Sequence, residues 1–354
     1  MFFCDPPGHT DPEHLFNLGS DSIVEKDYVF MHDQEPIHLD EFQPLFDDVL
    51  RRNQDLWWKY DDDVKPEKPN PFGHVIVSER GEMVDALCKK YEWTPHYYFY
   101  HGWACQDWFR GYDKTFLIPR ASERTPTKTF MSPNRIVAGK RDHRVLFLYN
   151  VFKNQLEHNH ISAPRVCQYE NVDITSIAQK YTKVYQDITN VFTNAQLPRL
   201  FAGEETQQMT SCWLGNFAEA QDSLVYIPTE TVYFGRRTHI TEKTFKAIAL
   251  EMPFVLVAPA GSLEYLREYG FKTFSSVFDE SYDTETDDIR RIERVTQLLK
   301  DLDNLTVQER QAIHRACLPI VEHNYNHFYQ GGLTDILWQE LMLMLNNLQQ
   351  TNTP

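Results

Sequence analysis

One segment that alternates between strand and helix patterns constrains the fold more than any other feature of this sequence. Residues 73–77 (GHVIV) are β-branched and follow a proline-rich stretch, which is typical of a buried strand. Ser78 is a candidate helix N-cap, and apolar residues recur at helical spacing from Met83 to Cys88. Another strand is predicted at residues 97–100. A strand, a helix and a strand in this order form a βαβ unit, which predicts a parallel α/β sheet.

The same alternation begins again after residues 119–128, a stretch with two prolines and no periodicity. Beyond it, the apolar pattern predicts strands at residues 128–131, 224–228, 253–258 and 271–274, and helices from about Asp142 and at residues 241–251, 262–269, 287–302, 306–324 and 333–348.

A chain of 354 residues exceeds what one ordinary hydrophobic core holds, so we expect two domains. The break in the pattern places an N-terminal, acceptor-side α/β domain at residues 1–120 and a linker at residues 121–127. A Rossmann-like domain then follows at residues 128–330. Residues 331–354 are predicted to form a C-terminal helix that braces the two domains.

Charge and composition exclude several classes of protein. The chain has 35 Lys and Arg against 51 Asp and Glu, a net charge of -16, which disfavours wholesale binding to nucleic acid or anionic lipid. No segment approaches the roughly 18–20 apolar residues of a membrane helix, and the first residues lack the pattern of a secretory signal. The six cysteines are scattered, without a CxxC pair. We therefore expect a cytoplasmic protein with reduced thiols.

The residues that best indicate chemistry lie between positions 230 and 259. Thr241 is placed to cap a helix whose first turn holds Glu242 and Lys243. A helix N-terminus attracts anions, and we expect an exposed Lys243 to add a full positive charge. Glu242 could accept hydrogen bonds from ribose or sugar hydroxyls. The pattern fits a nucleotide-diphosphate-sugar site, but it also fits an ordinary capped surface helix, and the residues alone do not decide between the two.

This segment resembles the donor-binding signature of α1,3-fucosyltransferase-type glycosyltransferases. Glu230 precedes residues 240–243 (ITEK), and a helix of small residues then leads to residues 252–254 (MPF). The resemblance implies the GT-B fold, in which two Rossmann-like domains face each other across a cleft and C-terminal helices follow. It also implies that Glu242 holds the donor ribose and Lys243 the diphosphate. Thr231 departs from the family pattern, which usually has Asn after the upstream Glu.

Two other regions support the same resemblance. Asn134-Arg135, followed by His143-Arg144 at a helix start, is similar to an "NR…HR" element of glycosyltransferase-like proteins, some of them encoded by large viruses and bacteriophages. This similarity implies that Arg135 and Arg144 contact the diphosphate, for which guanidinium groups are well suited. Residues 30–36 (FMHDQEP) resemble the loop that carries the general base of the fucosyltransferases, although the order of the acidic residues differs. Glu35 would then be the base.

We therefore predict a glycosyltransferase of hexosyl or fucosyl type. It would transfer a sugar from a nucleotide-diphosphate-sugar donor to a hydroxyl acceptor, with inversion, no bound metal and no required cofactor. Glu35 is the predicted base, and the predicted donor site comprises Asn134, Arg135, Arg144, Glu230, Thr241, Glu242 and Lys243.

Two alternatives stay open. One is a metal-dependent GT-A enzyme that uses Asp61–Asp63, and the other is a catalytically silent module that binds a nucleotide sugar or a glycan. A glycan or another molecule with a hydroxyl group is the expected acceptor. A modified DNA base is left open but is disfavoured by the negative charge. The location would be a host cytoplasm if the source is viral. The sequence specifies neither the sugar, nor the nucleotide, nor the oligomeric state.

Overall fold

The chain forms two units, each built around a parallel sheet. The computed structural model describes residues 2–4, 28–32, 43–44, 47, 72–115, 117–167, 170–202, 204 and 212–351. One unit comprises residues 1–101 and 337–354, and the other comprises residues 102–336. Both sheets are parallel, as βαβ connections require. The predicted α/β class, with helices at the C-terminal end of the chain, is therefore confirmed.

The sheet of the first unit has four parallel strands in the spatial order β1-β2-β3-β5. A two-residue strand, β4, and a helix, α1, lie between β3 and β5 in the chain. This βαβ unit is the one that the sequence predicts. Its elements are β1 (Phe2–Cys4), β2 (Tyr28–His32), β3 (Phe72–Val77), β4 (Arg80–Gly81), α1 (Glu82–Tyr91) and β5 (Thr94–Tyr97).

Ser78 does not cap α1, which begins four residues later. Its hydroxyl instead donates to the carbonyl oxygen of Tyr98 at 3.1 Å and accepts from the backbone N–H of Tyr100 at 3.0 Å. The next helix, α2 (Tyr100–Trp108), begins there. The predicted strand at residues 97–100 therefore ends at Tyr97, because the backbone turns into a helix where the serine binds it.

The C-terminal helix, α11 (Gly332–Thr351), contributes its residues from Leu337 onward to the first unit. There Met344 packs with Ile76 of β3 and with Tyr98, and all three side chains are buried. The carboxylate of Glu340 accepts from the backbone N–H of Phe99 at 3.1 Å. This part of α11 is therefore a covering layer of the first sheet.

The second unit has a three-stranded parallel sheet in the order β10-β6-β7. The sheet is extended by isolated parallel bridges that join Tyr226 to Phe254 and Thr229 to Val257, so the predicted strand at residues 253–258 is buried and extended but paired only in part. Its elements are β6 (Lys128–Ser132), α3 (His143–Lys153), β7 (His160–Ile161), β8 (Val166–Cys167), β9 (Val172–Asp173), α4 (Ile174–Ala178), α5 (Ile188–Asn194), α6 (Phe217–Asp222), β10 (Ser223–Tyr226), β11 (Arg237–Thr238), α7 (Glu242–Ala249), α8 (Ser262–Glu268), α9 (Asp288–Asp303) and α10 (Val307–Tyr329).

Residues 271–274, predicted as a strand, form no strand. The backbone groups of this segment form hydrogen bonds with side chains instead of with a neighbouring strand. The N–H of Lys272 donates to Asn324 Oδ1 at 2.8 Å, and Asn324 Nδ2 donates back to the Lys272 carbonyl at 2.9 Å. The N–H of Phe274 donates to Glu280 Oε1. These partners lie up to 52 residues away, so the local apolar pattern does not reveal them.

The proline-containing stretch predicted as a linker lies inside the second unit. The backbone N–H of Ala121 donates to Glu251 Oε2 at 2.8 Å, and the buried Arg124 donates to the Leu250 carbonyl at 2.7 Å. Both contacts fix residues 121–124 to the end of α7. The chain divides between His101 and Gly102. Within the described ranges, no helix is long and apolar enough to cross a membrane.

Candidate functional site

The carboxyl edge of the second sheet is where the predicted donor-site residues come together. Parallel strands all end at the same edge, and the helices that follow them begin there. Five of these residues are joined to one another by hydrogen bonds, Asn134 is joined to them through Thr229, and Arg135 is next to Asn134 in the chain. They are Asn134 and Arg135 after β6, Arg144 in the first turn of α3, Glu230 after β10, and Thr241, Glu242 and Lys243 at the start of α7.

Glu230 is fully buried and joins the end of β10 to the first turn of α7. Its Oε1 accepts from the backbone N–H of Thr241 at 3.2 Å and from the Thr244 hydroxyl at 2.6 Å. Its Oε2 accepts from the Thr241 hydroxyl at 2.5 Å. Thr241 is the N-cap residue by position, but its hydroxyl makes no cap bond. It donates to Glu230 and accepts from the Lys243 ammonium instead. The Glu230 carboxylate is thus occupied by the chain's own donors, which makes it a positioning group.

Lys243 is not the exposed lysine that the sequence suggests. Its side chain is 23% exposed, and its ammonium lies 2.8 Å from Glu242 Oε1. It also donates to the hydroxyls of Thr231 at 3.0 Å and Thr241 at 3.1 Å. An ammonium that is already held in one place loses less side-chain entropy when an anion binds to it.

Glu242 is buried at 8% exposure, directly beside Lys243. The pair offers one positive charge and one hydrogen-bond acceptor at the start of an eight-residue helix. A phosphate group requires the first, and a vicinal hydroxyl of ribose or of a sugar requires the second. The arrangement is therefore suited to a ligand that carries phosphate and hydroxyl groups side by side.

Arg144 is buried, and its guanidinium is directed at backbone carbonyls. Nη1 donates to Ile136 at 2.7 Å, and Nη2 donates to Thr229 at 2.8 Å. Burial, aided by the nearby charge of Arg141, lowers the pKa of Arg144 to about 9. The structure therefore shows Arg144 supporting the loop after β10, where the resemblance implied a contact with the diphosphate.

Asn134 also serves the loop after β10. It is fully buried, its Oδ1 accepts from the Thr229 hydroxyl at 2.9 Å, and its Nδ2 donates to Ser132 Oγ at 2.9 Å. Arg135, by contrast, is partly exposed. Of the two predicted arginines, Arg135 is therefore the more exposed.

Two ionisable residues of this region were missed by the sequence reasoning. Glu204 is buried, and burial raises its pKa, although the charge of nearby Arg135 opposes this. Lys246 lies one turn after Glu242, and burial lowers its pKa. The four-residue spacing from Glu242 could have identified Lys246. No local pattern marks Glu204.

Two predicted features lie outside the described residues, namely Glu35 and the cluster Asp61–Asp63. Their roles as general base and as metal ligands stay predictions. In the portion of the chain that the structure describes, no group of three or more His, Cys, Asp or Glu side chains is arranged to hold a metal ion.

Comparison with known proteins gives three distant structural similarities. No family model and no curated protein matches the sequence. The chain is similar to the trehalose-6-phosphate synthase OtsA, with 13% identity and a TM-score of 0.38 over 89% of this chain and 68% of that chain. An apo OtsA structure is similar at 12% identity, with a TM-score of 0.38 over 88% of this chain and 68% of that chain. A UDP-forming α,α-trehalose-phosphate synthase from Burkholderia xenovorans is similar at 14% identity, with the same TM-score and coverage.

Proposed function

We propose that this chain is a GT-B glycosyltransferase that binds a nucleotide-diphosphate sugar at the start of α7 and transfers the sugar to a hydroxyl acceptor. The observation that carries the proposal is the ammonium of Lys243. It is held by Thr231, Thr241 and Glu242 at the carboxyl edge of a parallel sheet, beside a helix N-terminus. The resemblance to α1,3-fucosyltransferase-type enzymes rests in part on Thr241, Glu242 and Lys243, whereas Thr231 departs from the family pattern.

The chemistry of transfer explains why a fixed cation is needed. When the bond between the anomeric carbon and the diphosphate breaks, negative charge develops on the departing oxygen. Lys243, the helix dipole of α7 and the partly exposed Arg135 would stabilise that charge without a metal ion. Glu242 would accept a hydrogen bond from a hydroxyl group of the ribose.

Inversion requires a carboxylate that removes the acceptor proton while the acceptor oxygen attacks. Glu35 is our candidate for this base. We propose a glycan as the acceptor and a hexose or fucose as the transferred sugar. A GT-A mechanism, in which Asp61–Asp63 hold a divalent metal, is the alternative that metal dependence would select.

The direct test is a thermal-shift panel of GDP, UDP, CDP and ADP, with and without Mn²⁺, on the full chain. A ligand at a hundredfold its Kd stabilises by about 2.7 kcal/mol, which visibly moves a melting curve. The variants are Lys243→Ala and, as a matched control, Lys114→Ala, which removes an exposed lysine of the same unit.

The proposal predicts a metal-independent shift with one nucleotide in the wild type and in Lys114→Ala, and a clearly smaller shift in Lys243→Ala. An unchanged shift in Lys243→Ala would contradict the site, and a shift that requires Mn²⁺ would favour the GT-A alternative. Incubation with the matching nucleotide sugar then distinguishes the activities. Release of the nucleoside diphosphate marks a transferase, and binding without release marks a silent binding module.

A further inference from the structure

Tyr233 lies three residues after Glu230 and is 1% exposed. Its ring is stacked on the imidazole of His143, with centroids 5.0 Å apart and planes 12° apart. The guanidinium carbon of Arg291 lies 4.4 Å from the same ring centroid. The Tyr233 hydroxyl donates to the carbonyl of Asp288 at 2.6 Å. A ring with this many specific contacts defines the position of its own backbone.

Arg291 is a buried cation that joins several segments at the carboxyl edge of the sheet. Its Nε donates to the Ala258 carbonyl at 2.9 Å, Nη1 to the Glu285 carbonyl at 2.9 Å, and Nη2 to the Tyr233 carbonyl at 3.0 Å. The rigid fork of a guanidinium can reach all of these acceptors at once, and a lysine cannot. Arg291 therefore fixes the backbone of Tyr233 as well as its ring.

His143, in the first turn of α3, fixes the other end of the same segment. Its Nε2 lies 3.1 Å from the carbonyl oxygen of Glu230, and the residue is fully buried. Burial, with the adjacent charge of Arg144, holds the pKa of His143 well below its usual range. The neutral imidazole thus carries its proton on Nε2, and this N–H donates a hydrogen bond to the Glu230 carbonyl.

We propose that His143, Tyr233 and Arg291 form a positioning stack that sets Lys243 for the diphosphate of its ligand. The stack fixes Glu230 through its carbonyl and Tyr233 through its ring and backbone. Thr231 lies between these two residues, and its hydroxyl accepts from the Lys243 ammonium at 3.0 Å. A displacement of this segment would therefore move the ammonium. The inference rests on the proposed function, since it concerns the same site.

The test measures coupling between the stack and Lys243, with inorganic pyrophosphate as the probe because all candidate donors contain a diphosphate. Its Kd is measured by calorimetry on the full chain for Tyr233→Leu, Lys243→Ala and the double variant. Tyr233→Phe is the matched control, because it keeps the ring on His143 and Arg291. Melting temperature and circular dichroism are recorded for every variant.

If the stack acts through Lys243, Tyr233→Leu raises the Kd about tenfold, within the coupling usual for residues in one network. The same substitution leaves the Kd unchanged once Lys243 is alanine, whereas the loss of melting temperature persists in both backgrounds. Tyr233→Phe changes the Kd by no more than about twofold. A purely structural tyrosine would raise the Kd equally in both backgrounds, and that result would overturn the inference.

A second variant keeps the test informative if Tyr233→Leu does not fold. His143→Phe retains a ring against Tyr233 but removes the hydrogen bond to Glu230, and it is expected to raise the Kd in the wild-type background only. An unchanged Kd in a folded His143→Phe variant would also overturn the inference. If Lys243→Ala alone leaves pyrophosphate binding unchanged, the proposed function fails, and with it the basis of the stack.

Discussion

Two connections from a strand to a helix show why only one of them suits an anionic ligand. After β3, the serine hydroxyl of Ser78 binds backbone groups of Tyr98 and Tyr100, and α1 begins with acidic residues at positions 82 and 85. After β10, the chain places a buried carboxylate, two threonine hydroxyls and the ammonium of Lys243 around the start of α7. Both units have a parallel sheet, but of these two helices only α7 has a lysine in its first turn. The fold therefore permits a site at each connection, and the side chains decide which one has the chemistry.

A third connection sharpens this contrast. The start of α8 is already occupied by a carboxylate of the chain, because Asp283 accepts from the backbone N–H of Leu263 at 3.1 Å. An external anion would have to displace that carboxylate. Of these three helices, only α7 has a lysine in its first turn, and that lysine is partly accessible.

The largest expected effect is on stability, from Glu230→Ala. Two hydroxyls and one backbone N–H would lose their acceptor in a fully buried place, which costs about 4 kcal/mol of unfolding free energy. Ser78→Ala, the corresponding change after β3, should cost only about 1 kcal/mol. Denaturant titration of both variants checks the ratio. Equal losses of unfolding free energy would show that Glu230 and Ser78 stabilise their connections by the same amount.

The next effect is a pH dependence that arises at α8. Burial raises the pKa of Asp283 from 3.8 to about 6. The folded state therefore binds this proton more tightly than the unfolded state, so the contribution to stability is complete below pH 3.8 and is lost as the pH rises through 6. Asp283→Asn keeps an acceptor for Leu263 and should flatten this part of the stability curve, with a gain of about 2 kcal/mol at pH 7. A curve of unchanged shape between pH 4 and pH 7 would contradict this assignment.

Lys243→Ala should have a smaller effect on stability, about 1 kcal/mol. The lysine is partly buried and bonded to three oxygens, and its removal leaves the buried Glu242 without its counter-charge. Lys114→Ala, at an exposed position, should change the unfolding free energy by less than about 0.5 kcal/mol. Thermal unfolding of both variants without ligand measures this difference. Identical melting temperatures would mean that the three hydrogen bonds of the Lys243 ammonium add no stability to the protein in solution.

The smallest expected effect tests whether a helix N-terminus with a lysine is enough to bind a nucleoside diphosphate. Met83 follows Glu82 at the start of α1 just as Lys243 follows Glu242 at the start of α7. Met83→Lys therefore adds a lysine at the equivalent helix position, without the threonines and the buried carboxylate. We expect no second site for a nucleoside diphosphate in titration calorimetry. A second site would show that a helix N-terminus and a lysine are sufficient.

The sequence was a good guide where the structure depends on local pattern. The βαβ unit after residue 72, the helix α3 and the long helices α9 and α10 follow from apolar periodicity within a few residues. The proximity of the residues predicted for the donor site also follows from sequence, because strand ends and helix starts meet at one edge of a parallel sheet.

The sequence could not assign the role of each residue in that cluster, because the roles depend on distant partners. Arg144 reads as a phosphate ligand by residue type, but its acceptor, Thr229, lies 85 residues away. Glu230 reads as a ligand-binding acid, yet Thr241 and Thr244 occupy its oxygens. The ammonium of Lys243 donates to Thr231, the residue that departs from the pattern of the fucosyltransferase-type enzymes.

The most direct test of the central claim is calorimetric titration of the intact chain with the nucleoside diphosphate that the thermal-shift panel selects. We predict one site per chain and a Kd that rises between tenfold and a hundredfold in Lys243→Ala, since a hydrogen bond to a charged group contributes about 1.5–3 kcal/mol. Lys114→Ala should bind as the wild type does. A Kd that is the same in Lys243→Ala and in the wild type would contradict the claim that the start of α7 is the donor site.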